Sequence, residues 1–136
     1  MKRVPVETEF GYLFGRDAIF LDEVIYDCRN LTLKGEFNGI LCSKKQNSYI
    51  TYEIEFKGVY YFRSIELDVS ITLDNKYWHE GTNFDEILDS DVLKAISKAR
   101  NLKLRHFLFL TYDDVFEIAC QDFILKTTRI RDKTKG

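Results

Sequence analysis

From Tyr49 to Phe56 the chain reads Tyr-Ile-Thr-Tyr-Glu-Ile-Glu-Phe, and this alternation constrains the fold more than any other segment. Successive side chains of a strand leave on opposite faces. Ile50, Tyr52, Ile54 and Phe56 therefore point one way, and Thr51, Glu53 and Glu55 the other. Ile65 to Leu73 repeats the pattern, with Ile65, Leu67, Val69, Ile71 and Leu73 set against Glu66, Asp68, Ser70 and Thr72. Strands with one wet face pair antiparallel far more readily than they sit inside a parallel sheet covered on both sides. Lys57-Gly58 begins the connection between the two, and the Val59-Tyr60-Tyr61-Phe62 run is apolar on both parities.

The first third of the chain adds short strand-like runs at Phe10–Phe14, Ile19–Tyr26, Leu31–Phe37 and Gly39–Cys42. They are punctuated at Gly15-Arg16-Asp17, Arg29-Asn30 and Asn38-Gly39, and the last is the usual dipeptide of a type I′ hairpin. Near the C-terminus, Leu104–Tyr112 and Val115–Cys120 flank Asp113-Asp114. A two-residue loop there pairs Tyr112 with Val115, Leu110 with Glu117 and Phe107 with Cys120. One face then carries Phe107, Phe109, Phe116, Ile118 and Cys120. The other carries His106, Leu108, Leu110, Tyr112, Val115 and Glu117. Both faces are largely apolar, which predicts a central hairpin covered on each side. Phe123–Leu125 adds a last strand.

One helix is expected, at about residues 84–100, where Phe84, Ile87, Leu88, Val92, Leu93, Ile96 and Ala99 recur at three- and four-residue steps. Thr82 or Asn83 can cap it, and acids lead while Lys94, Lys98 and Arg100 trail, as the helix dipole favours. Ser90-Asp91 offers an alternative start, which would leave Phe84–Leu88 outside the helix. The predicted fold class is α+β: a mostly antiparallel curved sheet or sandwich with one principal helix. With 136 residues the chain suits a single domain over 1–125 and a basic tail over 126–136.

Charge is nearly balanced, with 20 Lys+Arg against 22 Asp+Glu, so no global field draws the protein to nucleic acid or anionic lipid. Locally the tail is net +4, while the stretch from Glu53 to Asp91 is net −7. No apolar run is long enough for a membrane helix, and the N-terminal residues lack a signal-peptide pattern. Cys28, Cys42 and Cys120 stand far apart, without zinc-ligand spacing and in odd number, which predicts free thiols in a reducing cytoplasm.

Motifs with a phosphate-cradling or nucleophile-elbow pattern are missing from the sequence. The most suggestive segment is the loop holding Tyr77, Trp78, His79 and Glu80, which carries the only tryptophan. Together with Asp85 and Glu86 these residues form the expected partner-binding surface, with aromatic anchors and an acidic rim. Packing of Trp78 over the core end is the competing reading. An alternative ligand pocket is lined by Tyr52, Tyr60, Tyr61 and Phe62. No metal or cofactor is expected, because His79 and His106 lack partners at ligand spacing. Asp113-Asp114 reads as a solvated turn. Glu117, if buried, is expected to pair with Arg105 or Lys103.

The segment His106-Phe-Leu-Phe-Leu-Thr-Tyr-Asp-Asp-Val-Phe-Glu-Ile-Ala-Cys120 resembles a terminal hairpin in small uncharacterised bacterial proteins. Glu55-Phe-Lys-Gly-Val59, including Phe56–Val59, is similar to a segment that often precedes it. Some proteins of this kind look like immunity proteins, which bind and neutralise a toxin. The resemblance implies a non-enzymatic protein-binding domain and carries no catalytic residues; the acidic stretch makes a basic protein the expected partner. The rivals are a small-molecule binder and a small enzyme using His79, Glu80 or Glu117. Free strand edges leave homodimerisation open.

Overall fold

The computed structural model describes residues 2–73 and 81–129. Among these residues the chain forms nine strands in two antiparallel sheets, with two helices. The strands are β1 (Lys2–Pro5), β2 (Ile19–Asp27), β3 (Asn30–Asn38), β4 (Tyr49–Lys57), β5 (Tyr61–Glu66), β6 (Phe84–Leu88), β7 (Arg105–Leu110), β8 (Asp114–Cys120) and β9 (Asp122–Arg129). The helices are α1 (Leu67–Leu73) and α2 (Asp91–Arg100). One sheet runs β1-β6-β7-β8-β5 and the other β2-β3-β4-β9. The α+β class and antiparallel pairing expected from the alternating segments are what the chain adopts.

The core lies between the sheets. Leu31, Leu33 and Phe37 of β3 and Ile50, Tyr52, Ile54 and Phe56 of β4 meet Phe84, Phe107, Phe109, Phe116, Ile118 and Cys120 from the five-stranded sheet. Phe56 packs edge-on or tilted against Phe84, Phe107, Phe109 and Phe123, the low-energy geometry for aromatic pairs. The outer face of the five-stranded sheet buries Ile87, Leu108 and Val115 with Leu67 and Leu110. There α1 packs on β5 and β8 and α2 on β7, so two helices supply the second cover that the apolar hairpin requires.

The sheets share a corner. β4 runs into β5 and β8 into β9, and Gln121 N donates to Lys57 O at 2.9 Å and to Gly58 O at 3.2 Å. Gly58 sits at φ 64, and a Cβ there would strike the Gln121 side chain. Glycine takes this left-handed φ without the strain a side chain would bring.

Four local expectations are corrected. Phe84–Leu88 is strand, not helix: β1 and β7 flank it, with Phe84 facing the core and Ile87 the outer face. Three-residue apolar spacing also fits a strand buried on both sides. The helix starts at the alternative point, with Ser90 as its cap accepting from Leu93 N at 3.1 Å. Thr82 and Asn83 cap nothing; Asn83 ties Gly15 to Leu110. Second, the run from Ile65 leaves the sheet at Leu67. β8 ends at Asp114, opposite Glu66, so later residues have no neighbouring strand and satisfy their backbone as a helix.

Third, Asn38-Gly39 makes no hairpin turn. Asn38 instead caps a short 3-10 turn at Gly39–Leu41, and Gly39 admits the backbone of Ser48 too closely for any Cβ. The left-handed two-residue turn lies at Cys28 (φ 50) and Arg29 (φ 65), between the paired Asp27 and Asn30. Fourth, the β7–β8 ladder is shifted by two residues: Leu110 faces Val115, Leu108 faces Glu117 and Arg105 faces Cys120. An even shift keeps every side chain on its expected face. Phe10–Phe14 contributes only isolated bridges, and Phe123–Leu125 lies within the longer β9.

Candidate functional site

Of the expected partner-binding residues, Tyr77, Trp78, His79 and Glu80 lie outside the described residues. Asp85 is no surface group. Its side chain is 0% exposed, held by Arg3 at 2.6 Å and by the Thr82 hydroxyl. Glu86 is half-buried and forms a two-pronged pair with Arg105. That bond is the chief reason the Arg105 guanidinium is held above its ordinary pKa. Elsewhere in the acidic stretch, Glu53 and Glu55 pair with Lys34 and Lys57, so these charges do not gather into one surface.

The expected pocket residues do not gather either. Tyr52 is sealed in the core, stacked on Phe37 at 4.3 Å, and donates to Phe20 O. Burial, reinforced by Asp22, pushes its phenol well above the usual tyrosine range. Tyr60 lies beneath the guanidinium groups of Arg29 and Arg100, and Tyr61 flanks His106 on the outer face. Phe62 stacks on Phe116 on the inner face. Neighbours along a strand alternate faces, which separates them.

Two other arrangements stand out. The first is the edge of β2, which pairs with no further strand among the described residues, although Ile19 O accepts from Tyr112 N at 2.8 Å. A bulge at Asp22 interrupts its pairing with β3, and beyond it Val24, Ile25 and Tyr26 are 45%, 39% and 53% exposed. Leu33 and Leu31 oppose Val24 and Tyr26 across the ladder and are fully buried. Tyr26 reaches across to stack on Phe62 of β5, the edge strand of the other sheet, at 6.2 Å. Where β2 begins, Phe20 stacks on Tyr112 at 5.6 Å, with Arg16 over the same ring. Asp22, Glu23 and Asp27 make β2 acidic, without a single basic residue.

The second is a chain of buried polar groups on the outer face. Ser90 Oγ lies 2.7 Å from His106 Nδ1. His106 Nε2 lies 3.4 Å from Glu117 Oε1, and Arg63 Nε 2.9 Å from Glu117 Oε2. A hydroxyl that accepts from Leu93 N keeps both its proton and a second lone pair, so the bond to Nδ1 runs from Ser90 when Nδ1 is unprotonated and from His106 when it is not. With Nδ1 as acceptor the imidazole carries its hydrogen on Nε2, which is buried and makes no hydrogen bond among the described residues. The Glu117 partner is thus Arg63, directly opposite it across β5–β8, and not Arg105 or Lys103. His106 and Glu117 meet diagonally because Glu117 opposes Leu108. In the expected register they stand two residues further apart, which hid the pair. Ser90 was legible only as an alternative helix start.

Among the described residues, no group of three or more His, Cys, Asp and Glu is arranged to hold a metal, and no helix is long and apolar enough to cross a membrane. Comparison with known proteins finds no match to a family model, a curated protein or a solved structure.

Proposed function

We propose that this protein is a protein-recognition domain, of the immunity or regulatory type, that captures a basic extended segment of its partner along the β2 edge. One observation carries the reading: three consecutive apolar side chains stand exposed on an acidic strand at the end of a sheet. Free edges template pairing with another chain, and proteins commonly blunt them with lysines or prolines on the edge. β2 has a bulge but neither residue. A partner strand gains main-chain hydrogen bonds from the edge, apolar contact from Val24, Ile25 and Tyr26, and charge pairing from Asp22, Glu23 and Asp27. Pairing two copies through the same strand would set acid against acid, which favours a different protein over a homodimer.

The three cysteines are free, which supports a reducing compartment such as the cytoplasm. The test is affinity capture from the native lysate, followed by amide hydrogen exchange on the purified complex. Protection over residues 19–27, with capture lost in the Val24→Thr/Ile25→Thr/Tyr26→Ser variant, supports the reading. A partner that leaves exchange along β2 unchanged overturns it.

A further inference from the structure

Ser90, His106 and Glu117 are 5%, 3% and 5% exposed, and nothing in the strand-edge reading uses them. Apolar side chains would hold α2 on β7 at least as well as a buried ionic chain does. The turn delivering Ser90 is also strained, since Asp89 stands at φ 59 between β6 and the helix. Strain at a strand-to-helix turn beside a buried polar relay is a reason to look for chemistry. Ser90 lines an open groove of about 590 Å³, within the size range of small-molecule sites. Leu93, Leu102 and Leu104 give it apolar walls; Lys94 pairs there with Asp89 at 3.3 Å, and Lys98 and Lys103 leave the lining with a positive balance.

We infer that Ser90 is a nucleophile that cleaves esters bearing an anionic group, activated by His106 and with Glu117 as the positioning residue. The inference stands apart from the β2 reading, because the relay lies on the outer face of the other sheet. As Ser90 Oγ forms its bond to the ester carbonyl carbon, its proton passes to His106 Nδ1. The Glu117 carboxylate, 3.4 Å from Nε2, balances the charge of the imidazolium so formed. Collapse of the tetrahedral intermediate breaks the bond to the alcohol oxygen, which leaves with the proton from Nδ1. Water then attacks the acyl-serine, gives one proton to the same nitrogen, and releases the acid as that proton returns to Oγ. The two ring nitrogens exchange the roles they hold in the familiar serine triad, while the proton bookkeeping is unchanged. The positive end of α2 lies beside Oγ and favours the developing oxyanion.

The test treats the full chain with a fluorophosphonate probe and maps the adduct by peptide mass, alongside hydrolysis of p-nitrophenyl hemisuccinate and p-nitrophenyl butyrate. The expected result is an adduct on Ser90 and a rate at least 10-fold higher for the anionic ester, with that preference lost in Lys98→Glu/Lys103→Glu. Ser90→Asn keeps a side-chain oxygen for the helix cap but has no nucleophile, so it folds and loses both adduct and turnover. His106→Gln should reduce kcat about 100-fold or more. Glu117→Gln should lower kcat with KM unchanged, which a purely structural role would not produce. Folded wild type that gains no Ser90 adduct, or that hydrolyses the esters no faster than Ser90→Asn, overturns the inference.

Discussion

The buried pair between Asp85 and Arg3 yields the sharpest test of how this fold is held. Asp85 Oδ2 accepts from Arg3 Nε at 2.8 Å and Nη2 at 2.6 Å, while Oδ1 accepts from the Thr82 hydroxyl and backbone. The carboxylate is fully buried and the guanidinium 10% exposed, so neither is well solvated. Asp85→Ala leaves the guanidinium buried without this counter-charge, and breaking one side of such a pair costs about 3–5 kcal/mol. Domains have total stabilities of about 5–15 kcal/mol, so the variant should be marginal. Asp85→Asn keeps the shape but loses the charge-assisted bonds, for about 1.5–3 kcal/mol. The double variant Arg3→Met/Asp85→Leu removes both charges together and should recover most of the loss. Urea unfolding followed by circular dichroism measures all three. If Asp85→Ala costs less than about 1 kcal/mol, or the double variant is as unstable as the single one, the pair does not act as a buried charge clamp.

Two further outcomes follow from shifted titrations. Burial, with Asp113 and Glu66 alongside, raises the Asp114 carboxyl above its ordinary range, so the folded protein binds that proton more tightly than the unfolded chain. The resulting penalty is absent below the unfolded pKa and complete once pH exceeds the folded one. Asp114→Asn should therefore melt higher than wild type at pH 7, and thermal scans at pH 3 should show the gap closed. Burial also pushes the Cys120 thiol up to about 12 and raises Cys42, while Cys28 is exposed. Iodoacetamide at pH 7.5 should label Cys28 alone in the native protein and all three in urea, read by intact mass; native labelling of Cys120 would contradict its burial.

Where one physical signal dominated, the sequence was legible. Ile50, Tyr52, Ile54 and Phe56 alternate because β4 has a core face and a wet face, and all four are buried as expected. The faces of β7 and β8 were equally plain, since parity survives a register shift of two. Errors arose where a pattern had two physical sources. Phe84 and Ile87 match helical spacing because β6 buries one apolar residue on each face. Val69, Ile71 and Leu73 match a strand, yet the neighbour they would need ends at Asp114. The polar relay depended on that same register, and Arg63 depended on β5 pairing with β8, which no local signal announces. Asp85 looked like a surface acid because its partner, Arg3, is distant in sequence.

The shared corner at Gly58 and Gln121 also sets an order of assembly. β4 is complete at Lys57, but its outer partner, β9, begins only at Asp122. During vectorial synthesis β2, β3 and β4 emerge as a meander whose core-facing Ile50, Ile54 and Phe56 have no opposing sheet. Folding of the N-terminal half must therefore wait for the last third of the chain, and pairings of such long sequence separation are slow to close. Through that interval the nascent meander presents the unpaired edge of β4 and a bare aromatic face. A holding chaperone acting before β8 and β9 emerge would engage those surfaces.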